Sequence, residues 1–136
     1  MKKFTANYLI TPSGEFLKNG IVIISDDGMA SEFIDTKGDL REIAQLIFNS
    51  GILVPNFEFR KNNEPAITLD AFIETAKGIQ QKNTGLTIPE IFAQLTESLH
   101  TNGDFTKNML PGLFRLTGND LVHLKFSKEC KCKRIV

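Results

Sequence analysis

The sequence predicts an α+β domain: a β-sandwich or curved sheet built from strands at both ends of the chain, with two helices packed against it. Three observations carry this. Runs of β-branched and aromatic residues separated by turn signals occupy residues 1–59 and 110–136. Two amphipathic segments with start and stop signals lie between them, at 68–103, after a polar connection at 60–67. The 136 residues are 41% apolar and 24% charged, which suits one domain with a real core over 1–136 and not a disordered tail.

Residues 4–10 and 20–25 are strand-like and are separated by Pro12-Ser13-Gly14. The second run ends at Asp26-Asp27-Gly28, so the pair reads as a hairpin or meander. Residues 29–34 make a third strand, closed by Lys37-Gly38-Asp39. Leu40, Ile43, Ala44 and Ile47 then recur at helical spacing, whereas 46–54 is β-branched and aromatic and is cut by Ser50-Gly51. The expectation is a short helical turn followed by two strands that end at Pro55.

Thr68 caps a helix whose apolar face is Leu69, Phe72, Ile73, Ala76 and Ile79, ended by Asn83-Thr84-Gly85. Thr87, with Pro89 in the first turn and Glu90 three residues on, opens a second helix through a capping box. Its face is Ile88, Ile91, Phe92, Leu95 and Leu99, and Asn102-Gly103 supplies a left-handed residue to stop it. Beyond Pro111-Gly112, residues 113–117, 121–126 and 130–136 read as strands, with Gly118-Asn119-Asp120 turning between the first two.

Sixteen basic residues balance sixteen acidic ones, so no global field draws the chain to nucleic acid or anionic lipid. The basic ending KECKCKRIV lacks interleaved aromatics and reads as a charged edge strand. No run approaches the roughly 18 apolar residues that span a bilayer. Thr5, Asn7, Thr11 and Ser13 interrupt any signal-like stretch behind the two N-terminal lysines, so the expectation is a cytoplasmic protein with no nucleic-acid or membrane partner. Asp26-Asp27-Gly28 has no acidic ladder after it and is a turn. Ser13 and Ser31 have no histidine nearby in sequence and no nucleophile-elbow pattern. No glycine-rich phosphate loop occurs, and nothing calls for a cofactor.

The order of several motifs resembles the amidohydrolase superfamily, in its cytosine-deaminase and chlorohydrolase-like branch. Lys18-Asn19-Gly20-Ile21-Val22 with Asp26-Asp27-Gly28 looks like that family's opening hairpin. The run from Asn49 through Pro55-Asn56-Phe57 looks like its strand into the barrel, His100-Thr101-Asn102-Gly103 like its late Thr-x-Asn-Gly, and Pro111-Gly112-Leu113-Phe114 like its return to the sandwich. The resemblance implies a small composite sandwich formed by the two chain ends around a metal-binding (β/α)₈ barrel of roughly 250 residues. Here too few residues separate Phe57 from Thr68 for a single βα unit, and Lys61 and Asn63 stand where the family's His-x-His would be. Lysine is cationic and one asparagine oxygen is a poor ligand, so the reading is a chain without amidohydrolase activity.

His123, Cys130 and Cys132 form an H-x6-C-x-C cluster, and on an extended strand the two cysteines share a face. They are the candidates for a metal site, which would need His100, an acidic residue or a second chain to complete it. The competing reading is a solvent-facing strand end whose lysines depress the thiol pKa. Eleven phenylalanines against one tyrosine and no tryptophan imply a well-filled core and spare apolar surface. The functional expectation is therefore a non-catalytic composite domain serving as a binding, scaffolding or oligomerisation module, its partner a homodimer mate or another protein chain. The alternative is a hydrolase-related protein with a metal site rebuilt at an interface from His100, His123, Cys130 and Cys132.

Overall fold

The sheet is assembled around one strand whose sequence, LIFNSGILVPNFEFR, is uncharged until Glu58. The computed structural model describes residues 1–39 and 45–136. Its elements run β1 (Lys2–Ile10), β2 (Phe16–Lys18), β3 (Ile21–Ile24), β4 (Ala30–Ile34), β5 (Leu46–Arg60), β6 (Ile67–Thr68), α1 (Leu69–Lys82), α2 (Ile88–Glu97), β7 (Thr106–Thr117) and β8 (Lys131–Arg134). Among the described residues the strands form one sheet in the order β4-β3-β1-β5-β7-β8, with β2 also on β1 and β6 also on β5. β5 runs parallel to β1 on one side and antiparallel to β7 on the other. The two ends of the chain therefore meet in a single curved, unclosed sheet with both helices on one face, as composition and pattern predicted.

Several sequence expectations are corrected. The two strands expected to end at Pro55 are one strand, β5, that passes through both Ser50-Gly51 and Pro55. Gly51 sits at φ +111, where the β1–β5 register shifts, so it bulges the strand without ending it. Pro55, which has no N–H to give, adjoins the register shift against β7 between Pro55 and Phe57. The helical turn expected around Leu40, Ile43 and Ala44 lies outside the described residues. β7 begins at Thr106, well before Pro111-Gly112, and β2 was not expected at all.

The second helix widens into a π-turn at Ser98–Asn102; Gly103 has φ −100 and the left-handed residue is Asp104 at φ +58. Residues 121–126 are not a strand. Asp120 Oδ1 accepts the N–H groups of Val122 and His123 at 3.0 Å each, and Leu124 turns at φ +54, leaving only an isolated bridge between Asp120 and Lys125.

The helices form where their signals place them. Thr68 Oγ1 accepts the Ala71 N–H at 3.2 Å, and the Glu90 carboxylate accepts the Thr87 N–H at 3.1 Å, half of a complete capping box. Leu69, Phe72, Ile73 and Ala76 of α1 and Ile88, Ile91, Phe92 and Leu95 of α2 are buried against β5 and β7. A run of phenyl rings ties the layers together. Phe57 and Phe59 of β5 contact Phe72 of α1 at 5.2 and 5.7 Å, Phe72 contacts Phe92 of α2 at 5.1 Å, and Phe92 reaches Phe126 at 6.4 Å. Each such ring contributes about 1.5–3 kcal/mol by burial. On the opposite face a smaller core joins Phe4, Ala6, Leu9, Val22, Ile24, Leu53 and Leu113, with Ile135 and Val136 closing it.

Two glycines separate backbone necessity from helix cost. A Cβ on Gly51 would lie 2.3 Å from the Leu116 carbonyl oxygen, whereas one on Gly78, inside α1, would meet nothing within 4 Å. Chemical denaturation should show Gly51→Ala losing more than about 2 kcal/mol. Gly78→Ala should gain up to about 1 kcal/mol from helix propensity. Equal effects of the two substitutions would contradict this strand and helix assignment.

Candidate functional site

The positions singled out in the sequence are scattered by the fold. Lys61 and Asn63, the positions at which the sequence resemblance would set paired histidines, lie in the turn between β5 and β6: the Glu64 N–H donates to the Lys61 carbonyl at 3.2 Å and Asn63 turns at φ +65. His123 sits on the exposed loop after β7, its Nδ1 2.8 Å from Asp120 Oδ2. His100 lies on the π-turn, with Nδ1 3.2 Å from the Phe105 carbonyl oxygen. Among the described residues, no three or more His, Cys, Asp or Glu side chains are grouped so that they could hold a metal ion.

Cys130 and Cys132 do share a face, but it points inward. Cys130 is 7% exposed and belongs to the core beneath the helices, and half-buried Cys132 packs against the same core. The solvent-facing strand end is thus corrected, and so is the expected depression of the thiol pKa. Burial pushes Cys130 up, outweighing Lys77 and the nearby Asn119. Burial also raises Cys132, to about 12, helped by the charge of Asp70 and by the hydrogen bond the thiol gives that carboxylate. The surrounding lysines of β8 point elsewhere; the cation that faces the thiols is Lys77 of α1, whose Nζ donates to the Cys130 carbonyl at 3.3 Å.

Two arrangements were not readable from sequence spacing. Ser13, at the β1–β2 turn, and His100 line one open cleft of about 310 Å³ together with Thr96 and Glu97 of α2. Beside that turn Lys107 Nζ donates to the Pro12 carbonyl at 2.9 Å and sits 4.5 Å from the centre of the Phe57 ring, and burial pushes its pKa down. A larger cleft of about 620 Å³ runs between α1 and residues 126–128, walled by Glu74, Lys77, Gly78 and Lys128.

The most distinctive surface is the first third of β5. Residues 46–49 pair with β1 on one side, while β7 joins β5 only from Ile52 onward. Among the described residues, the other edge of 46–49 has no partner strand. Ile47 and Phe48, on opposite faces of this segment, are 43% and 53% exposed, two of the four large apolar side chains exposed on the described surface. The outer strands differ in kind. β8 carries Lys131, Lys133 and Arg134 and β4 carries Glu32, charges that oppose edge-to-edge pairing; residues 46–50 carry none.

Compared with family models, curated proteins and solved structures, the chain matches none of them. Nothing in them links the chain to the amidohydrolase superfamily. Among the described residues, no helix is long and apolar enough to cross a membrane.

A thiol held at about 12 in the fold and near 8.5 when unfolded favours the native state below about pH 8.5 and loses that contribution as pH rises toward the folded value. At pH 8 Cys132 should react with iodoacetamide roughly 100-fold or more slowly than free cysteine, and at the free rate in denaturant. Peptide mapping of the alkylated protein reads this. Native reaction at the free-cysteine rate would contradict the environment described.

Proposed function

We propose that this domain is a non-catalytic oligomerisation and binding module, derived from the composite domain of an amidohydrolase that lost its barrel, and that its partner is a second copy of the same chain. The observation that carries the reading is the uncharged, apolar edge of β5 at residues 46–49, which has no partner strand among the described residues. An exposed strand edge presents unused N–H and C=O groups, and adding a strand satisfies them while covering the flanking side chains. Two copies of residues 46–49 placed antiparallel about a two-fold axis bring no like charges together, because the segment has none. The chain's formal net charge of zero adds no long-range repulsion between copies.

Excision of a barrel gives the exposed edge an origin. Strands and helices that packed on a barrel keep apolar surface when it is removed, and self-association covers that surface without a new fold. Four residues of strand pairing bury less than the roughly 1,200 Å² of a standard stable interface, so the expected dimer is concentration-dependent.

Sedimentation equilibrium over a range of concentrations tests this. Wild-type protein should move from monomer to dimer, and Phe48→Lys should weaken the association by roughly 10-fold or more at unchanged thermal stability. A wild-type protein that stays monomeric throughout, or a dimer indifferent to Phe48→Lys, would overturn the proposal.

A further inference from the structure

Two side chains of α1 are fixed in place with hydrogen-bonding capacity left over, and both line the cleft between α1 and residues 126–128. Lys77 Nζ donates to Glu74 Oε1 and to the Cys130 carbonyl, each at 3.3 Å, and its side chain is 22% exposed. An ammonium has three N–H groups, so one remains. Gln80, 7% exposed, donates through Nε2 to the carbonyls of Leu86 at 2.9 Å and Asn83 at 3.4 Å, and these two acceptors set the orientation of its amide. Its Oε1 is buried and accepts from nothing among the described residues. A buried acceptor without a donor is unfavourable, so a bound group that supplies the donor is favoured.

Gly78 stands between them in sequence and lines the same cleft. A glycine inside a helix costs stability and calls for a packing or functional reason. Packing supplies none here, because a Cβ at this position would meet nothing within 4 Å and the backbone is not left-handed. What the missing side chain leaves is room: the cleft holds about 620 Å³, within the range of sites that take small organic molecules. Stability given up at Gly78 is thus matched by space for a ligand. Lys128 adds a second cation on the other wall, while the carboxylate lining the cleft among the described residues, Glu74, is already held by Lys77. The balance of charge favours an anion.

We propose that this cleft binds a small organic carboxylate that also carries an N–H donor. The carboxylate takes the remaining Lys77 N–H and is attracted by Lys128, the donor satisfies Gln80 Oε1, and the body of the molecule fills the space beside Gly78. Residues three apart on a helix have Cβ atoms about 5–6 Å apart, so the two polar groups are set a few bonds apart on one molecule. Binding is reversible and no covalent bond changes. The cleft shares no residue with the β5 edge, so this inference stands apart from the proposed dimer.

The test is titration of the ¹⁵N-labelled full chain with indole-3-acetate, which has a carboxylate and a ring N–H, followed through the backbone amide chemical shifts. Shifts should concentrate at residues 77–81 and 126–128 and saturate with a Kd of about 1 mM or tighter. N-methylindole-3-acetate, which lacks the N–H, and indole-3-acetamide, which lacks the charge, should each bind at least about 5-fold more weakly. Lys77→Met should weaken binding of the acid at least about 5-fold and Gly78→Leu about 10-fold or more, both with circular dichroism unchanged. Phe48→Lys should bind as wild type does. Absence of saturable shifts, shifts centred away from the cleft, equal binding of the three probes, or a folded Gly78→Leu variant that binds as wild type does would each overturn the assignment.

Discussion

The fold depends on β5 being paired along both edges through its middle. Ile52, Leu53 and Val54 are fully buried, with β1 on one side and β7 on the other, so the N-terminal strands and the C-terminal strands share one hydrogen-bonded ladder. That double pairing is long-range, and it closes only when both chain ends are present. It also sets the two ends of β5 apart. The C-terminal part, Phe57 and Phe59, faces the helices and anchors the phenyl run, while the N-terminal part extends past β7 and, among the described residues, lies open on one edge.

The same geometry governs the thiols. β8 attaches to the end of β7, with Cys132 opposite Leu116, and this registers Cys130 and Cys132 toward α1 and not toward water. Their neighbours are then the carboxylates and the lysine of the helix, which explains why burial and Asp70 outweigh the basic residues adjacent in sequence. Local charge in the sequence was a poor guide here because lysines alternate with cysteines along β8 and so point to the opposite face.

Much of the architecture was legible beforehand for local reasons. Thr68 and Thr87 with Glu90 declare helix starts through side-chain hydrogen bonds made within three residues, and the strands at 4–10, 20–25 and 29–34 follow from β-branched runs between turns. What stayed hidden depends on distant partners. Gly51 and Pro55 look like breaks, but the bulges that admit them exist only because β1 and β7 hold the strand on either side. Leu121 to Phe126 has strand composition, yet Asp120 captures the following amides and turns the chain first. The cleft that Ser13 and His100 share, the inward thiols and, among the described residues, the open edge at Ile47 and Phe48 arise from tertiary placement, which periodicity does not encode.

β5 is the centre of the core and, in the proposed dimer, also the surface that recruits the second copy. Hydrogen–deuterium exchange measured at several protein concentrations tests this directly. The amides of Ile52, Leu53 and Val54 should be strongly protected at every concentration, while those of residues 46–49 that do not bond β1 should exchange rapidly when dilute and slow as concentration rises. Protection at 46–49 that is independent of concentration, or fast exchange there at all concentrations, would contradict it.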